Sequence, residues 1–228
     1  MLKNLFGYFR YGAKPKKTPK LTWEAEDEKL LSVIIPALPG IEGKLTARDV
    51  VSIIASADSG DPREQAALFL TMQEKEPIIS AHLSTRRLAV LGCPYTIQSK
   101  TNKKQAEEIQ SMLQKAKLRK AISHLLDAVG TGYGGVIVDW EVGGGYINGF
   151  KEIASSSWIF DEAGNPALSG VMQMPTPLTE YHPAQIIYVT PEGKAGLPCR
   201  KGLMRTLLWM YLFKNGGSIM SDVKKGFL

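Results

Sequence analysis

Cysteine, histidine and long apolar runs are all scarce in this chain, and each scarcity removes a class of function. The 228 residues include two cysteines, Cys93 and Cys199, each beside a proline, and three histidines, His82, His124 and His182. No CxxC pair and no zinc-finger spacing of cysteine and histidine occurs, so no metal ligand and no cofactor is expected. Two reduced thiols are the default for such a chain, with a single long-range disulfide left open. No stretch reaches the roughly 18 apolar residues that cross a bilayer, so no membrane span is expected. The opening MLKNLFGYFRYGAKPKK lacks the continuous apolar centre of about 7–15 residues that a secretory signal carries. Gly-x-Ser-x-Gly is also absent, which removes the nucleophile elbow.

What is present is the composition of a soluble globular protein, 44% hydrophobic and 22% charged. Thirteen prolines and 22 glycines demand many turns and exclude a single helical bundle. The net charge of +6 is unevenly placed. Residues 1–20 hold Lys3, Arg10, Lys14, Lys16, Lys17 and Lys20 and no acid. The remainder is therefore neutral, with 22 acids balanced by as many bases. Residues 1–22 read as a basic, flexible arm, since Pro15 and Pro19 forbid a long helix. Lys14, Lys16 and Lys17 would touch phosphate or an acidic membrane surface by unspecific attraction. The plainer reading is a solvated terminus. Leu2, Leu5, Phe6 and Phe9 would line one side of a short helix, able to dock on a neighbouring subunit or a membrane.

Residues 23–214 read as one α+β domain, helices followed by antiparallel hairpins, with residues 215–228 an unpatterned tail. Trp23 to Leu38 holds a short helix stopped by Pro36 and Pro39. Residues 45–129 are helical. Thr46 caps a helix whose apolar face is Val50, Ile53 and Ile54, with Asp49 three residues on. Asp61 and Pro62 suit the first positions of the next helix, over 62–76, with Ala66, Phe69 and Leu70 inward. Pro77 starts another or kinks it; Ile79, Leu83 and Val90 share its apolar face, and Gly92 is placed to end it in a left-handed turn. Tyr95 to Gln98 alternates as a strand. Apolar residues from Ile109 to Val129 recur at helical spacing, with bases at 115, 117, 119 and 120 covering one side or marking a break.

Residues 135–190 are β-rich. Val136 to Val142 and Tyr146 to Ala154 form a hairpin around Gly143–Gly145. Trp158 to Asp161 and Ala167 to Gln173 form a second, and Gln185 to Thr190 is a further strand. The last helix, over 201–214, is apolar nearly all round and so needs cover on most sides.

Three groups invite a chemical reading. Gly130-Thr131-Gly132-Tyr133-Gly134-Gly135 resembles a phosphate cradle, but a helix precedes it and a strand follows, the reverse of a dinucleotide fingerprint, and no Lys-Ser/Thr pair follows. A helix C-cap is the better reading. His124 and Asp127 lie one turn apart, which by itself predicts a surface contact. Asp139 and Glu141 share one face of a strand, without a third ligand. Arg86 and Arg87, about 100° apart on their helix, would meet a neighbour's carboxylates, intrachain acids or phosphate. With Trp140 they are the residues expected to matter structurally.

Three segments, in order and spacing across residues 45–214, resemble Mu-like phage portal proteins. The first is Ser59-Gly60-Asp61, then Ile79, Ser80, Leu83, Arg86, Arg87, Ala89, Val90 and Leu91 to Tyr95. The second is Leu125-Leu126-Asp127-Ala128 with Gly130 to Glu141, continuing to Trp158-Ile159-Phe160-Asp161. The third is Gly196-Leu197-Pro198, Gly202-Leu203-Met204-Arg205 and Tyr211-Leu212-Phe213-Lys214. The resemblance implies a non-catalytic subunit of the ring at one vertex of the viral head, assembled in the host cytoplasm. Such rings pass DNA, dock the terminase and carry the tail connection. The region present would be the peripheral wing. Because Asn215 to Leu228 does not resemble the family's continuation into stem and clip, the resemblance implies a truncated prophage copy. Two other classes are carried as alternatives: a nucleic-acid or membrane module acting through the arm, and a nucleotide-binding enzyme using residues 130–135.

Overall fold

The computed structural model describes residues 45–141, 145–169, 174–192 and 195–215. The arm, the expected helix at 23–38, the tail beyond 215, part of the first glycine turn and the end of the expected strand 167–173 lie outside the described residues.

The helical half starts with α1 (Ala47–Asp58), α2 (Arg63–Lys75) and α3 (Pro77–Gly92), and continues with α4 (Lys103–Lys115), α5 (Leu118–Leu125) and the single turn α6 (Ala128–Thr131). Local chemistry sets these boundaries. Thr46 accepts from the Asp49 N–H while Asp49 accepts from the Thr46 N–H at 2.9 Å, a complete capping box. The Asp61 carboxylate accepts from the Arg63 N–H at 3.2 Å, so Pro62 sits one position earlier than expected. Only Glu76 separates α2 from α3, and Pro77 begins the latter. The break in the expected long helix falls at Lys117, in the left-handed region at φ 59°.

Two expectations are corrected here. Gly92 does not cap α3 in a left-handed turn: it is the last helical residue, and Cys93 leaves in an extended conformation at φ −68°, ψ 128°. Pro94 explains this, because the residue before proline is pushed out of the helical region. Tyr95 to Gln98 is not a strand. The Ile97 N–H is taken by the Gln110 side chain of α4 at 3.0 Å, so the segment docks on a helix rather than a sheet edge.

The β half forms two antiparallel three-stranded sheets. In the first, β1 (Gly134–Trp140) lies between β2 (Ile147–Glu152) and β6 (Ile186–Val189), with Val136 opposite both Glu152 and Ile187. In the second, β4 (Pro166–Leu168) lies between β3 (Trp158–Phe160) and β5 (Thr176–Pro177). The α+β class and both hairpins thus follow the sequence pattern. The centre strand β1 is buried through its first five residues, which is why its pattern is a continuous apolar run rather than an alternation.

Two apolar clusters hold the body. One gathers Tyr133, Ile137, Ile153, Trp158, Phe160, Leu168 and Cys199 around Ala57 of α1. Tyr133 meets Phe160 edge-on at 5.1 Å between ring centres, and its hydroxyl donates to the Ser155 carbonyl at 3.0 Å. The other joins α1 and α2 to α7 (Leu203–Asn215) through Val50, Leu68, Met72, Met204, Leu208 and Leu212. Only one stripe of α7 is covered. Trp209, Met210 and Phe213 are 40%, 68% and 71% exposed, so the cover expected on most sides does not come from the described body.

Candidate functional site

Residues 130–135 take the helix C-cap reading that the sequence favours over a phosphate cradle. Gly132 ends α6 in the left-handed region at φ 96°. A Cβ built there would stand 2.1 Å from the Pro198 carbonyl oxygen, and one on Gly202 would stand 2.2 Å from that of Gly130. These glycines let two backbones cross without side chains between them. The loop is a C-cap and a packing crossover.

The concave feature adjoins α6. A cavity of about 920 Å³ opens between α2, α3, the start of α6 and the end of β2. Phe69, Leu83, Val90, Leu126 and Met204 supply apolar wall, while Arg86, Arg87, Asp127 and Glu152 supply charge. Both arginines singled out in the sequence therefore reach the same cavity, from adjacent positions on α3, and they do different jobs. Arg86 is exposed at the rim. Arg87 donates through a terminal nitrogen to Asp127 Oδ1, bridging α3 to the α5–α6 junction, while its Nε is buried without a partner.

Burial pushes the Asp127 carboxyl above its ordinary range, with Arg87 pulling the other way and the nearby Glu152 charge adding to the rise. His124 Nδ1 lies 3.0 Å from Glu152 Oε2. The lone i,i+3 pair of the sequence is thus a four-residue network, Arg87–Asp127 beside His124–Glu152. Sequence reading missed Glu152 because β2 brings it from 25 or more positions away.

The remaining candidates stay apart. Asp139 faces Lys151 at 4.0 Å across the hairpin, and the ladder shifts register between Asp139 and Trp140, where Asn148 of β2 is the extra residue. The Trp140 indole donates to the Ala184 carbonyl at 2.9 Å, pinning β1 to the loop before β6. His182 accepts from the Ala184 N–H at 3.2 Å within that turn. Cys93 is exposed and Cys199 is buried, both free thiols. Burial raises the Cys199 thiol to about 11, so it stays protonated and unreactive at neutral pH. Lys14, Lys16 and Lys17 lie outside the described residues. No described helix is long and apolar enough to cross a membrane.

Comparison with known proteins agrees with the ordered segments of the sequence. A family model described as the portal protein of Mu bacteriophage matches residues 66–219, from inside α2 past the end of α7. The Mu-like prophage FluMu protein gp29 of Haemophilus influenzae is 30% identical over 192 residues, covering 75% of this chain and 35% of that protein. The chain thus spans about a third of the length of the curated relative it matches. With a family model covering the cavity, the glycine crossover and all of both clusters except their α1 residues, the chain belongs to the family of Mu-type phage portal proteins.

Proposed function

We propose that this chain serves as a structural, non-catalytic wing subunit of a phage head portal, the ring through which DNA enters the head and to which the tail connection is made. The observation that carries the reading is the family match across the whole cavity-bearing body, residues 66–219. The outward apolar residues of α3 and α7 support it. Ile78 and Leu88 are 67% and 66% exposed, and Met210 and Phe213 are more than two-thirds exposed. Apolar side chains left outside the chain's own core suit contacts between subunits.

In this reading residues 23–214 form the wing-like domain, residues 1–22 an arm and residues 215–228 a tail. Arg86 at the cavity rim meets a neighbouring subunit, and Lys14, Lys16 and Lys17 touch DNA without sequence preference. The partners are further copies in a ring, while the terminase and the head–tail proteins are partners that the family implies. The place of action is the portal vertex of the head, assembled in the host cytoplasm. Two-thirds of the relative's length lies beyond the matched stretch, so terminase docking and the DNA channel are assigned to regions other than this one.

Light scattering on the purified chain, with negative-stain images of the peak, tests the proposal. A closed ring of many subunits is the expected result. A folded monomer across the whole concentration range overturns self-assembly by this chain.

A further inference from the structure

We infer that His124, Asp127 and Glu152 form a binding site for one zinc ion, which fastens the α5–α6 junction to the end of β2. The inference is independent of the portal reading. Each residue offers one ligand atom, and the three atoms lie within 4.8 Å of one another. His124 Nδ1 and Glu152 Oε2 are already 3.0 Å apart. Donors about 2.0–2.2 Å from a tetrahedral zinc stand about 3.4 Å from each other. The gaps to Asp127, within 4.8 Å, close by side-chain adjustment, and the Glu152 side chain, 52% exposed, has rotamer freedom to contribute.

The donor set is one imidazole and two carboxylates, which suits zinc and other first-row divalent ions rather than calcium or magnesium. The surroundings favour a cation too. Asp127 and Glu152 bring two negative charges, and Arg87 returns one. Arg87 engages Oδ1 of Asp127, leaving Oδ2 free to ligate. An outer partner of that kind fixes the orientation of a metal-binding carboxylate. Asp127 and Glu152 line the cavity, so the fourth position faces solvent space and takes a water. The step balances simply. Hydrated zinc sheds all but one of its waters, any proton on His124 Nδ1 or Asp127 goes to buffer, and three dative bonds replace zinc–water bonds with no change of oxidation state.

The test uses the full chain, stripped with chelator, in a Cys93→Ser background so that the exposed thiol takes no metal. Calorimetry with zinc chloride is expected to give one ion per chain, and the melting temperature is expected to rise with zinc concentration. Cobalt in place of zinc is expected to show the visible absorption of a four-coordinate site. His124→Ala and Glu152→Gln are each expected to weaken zinc binding at least about tenfold, with unchanged circular dichroism. Should His124→Ala fail to fold, Glu152→Gln, at a half-exposed position, decides alone. Absence of binding at millimolar zinc, or binding retained in Glu152→Gln, overturns the proposal.

Discussion

Helices α2 and α3 are neighbours in sequence and opposites in packing. Seven residues of α2 are buried, among them Leu68, Phe69 and Met72, whereas no residue of the longer α3 is. Both carry apolar residues at helical spacing. What separates them is cover: α2 is roofed by α1 and α7, while α3 has the cavity beneath it and nothing described above it. Apolar content therefore says that a helix wants a partner, not that its own chain supplies one.

Their fastenings differ as well. The α1–α7 block that covers α2 is closed by Asp58 and Arg205, a two-pronged pair at 2.7 Å on each side. That bond holds the Asp58 carboxyl below its ordinary range. The tether of α3, Arg87 to Asp127, is single-pronged, and burial holds Asp127 above its ordinary range instead. The first pair adds stability on ionising. The second is a buried charge that its partner only partly compensates.

The contrast can be broken most forcefully in α2. Met72→Ala, at a fully buried position, is expected to lose about 2–5 kcal/mol, read by urea unfolding. Arg87→Met comes next, at about 1–3 kcal/mol near neutral pH, because Asp127 is left charged and half-buried without a partner. That deficit is expected to shrink as pH falls through the raised Asp127 value, where the carboxyl takes a proton and the cost vanishes. Arg205→Met also loses its deficit on acidification, but in a lower pH window. It is expected to cost about 1 kcal/mol at neutral pH after solvent screening. In the parent chain this contribution is complete above the ordinary carboxylate range and is lost as pH falls through the lowered Asp58 value. Unfolding curves of the two variants over acid pH separate these slopes. The smallest effect on stability belongs to Leu88→Ser on the open face of α3, within about 0.5 kcal/mol. That variant is nonetheless expected to lower the assembled fraction in light scattering, and an unchanged fraction would remove α3 from the subunit contact.

Much of this frame can be read from the residues themselves. Thr46 with Asp49, Asp61 with Pro62, and Pro77 each announce a helix start through chemistry confined to one turn. The β1–β2 hairpin is announced by a glycine-rich turn and the β3–β4 hairpin by Gly164-Asn165-Pro166, each beside apolar runs. What stayed hidden depends on distant neighbours. Tyr95 to Gln98 alternates like a strand, yet Gln110 offers its backbone a better partner than any sheet edge. Leu70 and Val90 fit an inward face by spacing, yet they are 37% and 48% exposed, because the cavity leaves part of both helices uncovered. Glu152 joins His124 only once β2 has paired with β1. The family was legible because it rests on the order of several short segments, which survives when each one alone is ambiguous.

The Asp58–Arg205 bond joins residues 147 positions apart, and this sets a timetable for the nascent chain. The apolar faces of α1 and α2 leave the ribosome long before α7 exists to cover them. The helical half therefore cannot close as an early, independent unit; it waits for almost the whole described chain. Long-range closure of this kind is slow, and the waiting surface is the sort that chaperones bind and that aggregates when they do not. A ribosome stalled before residue 203 would release a chain with sheets able to pair and a helical layer with no roof.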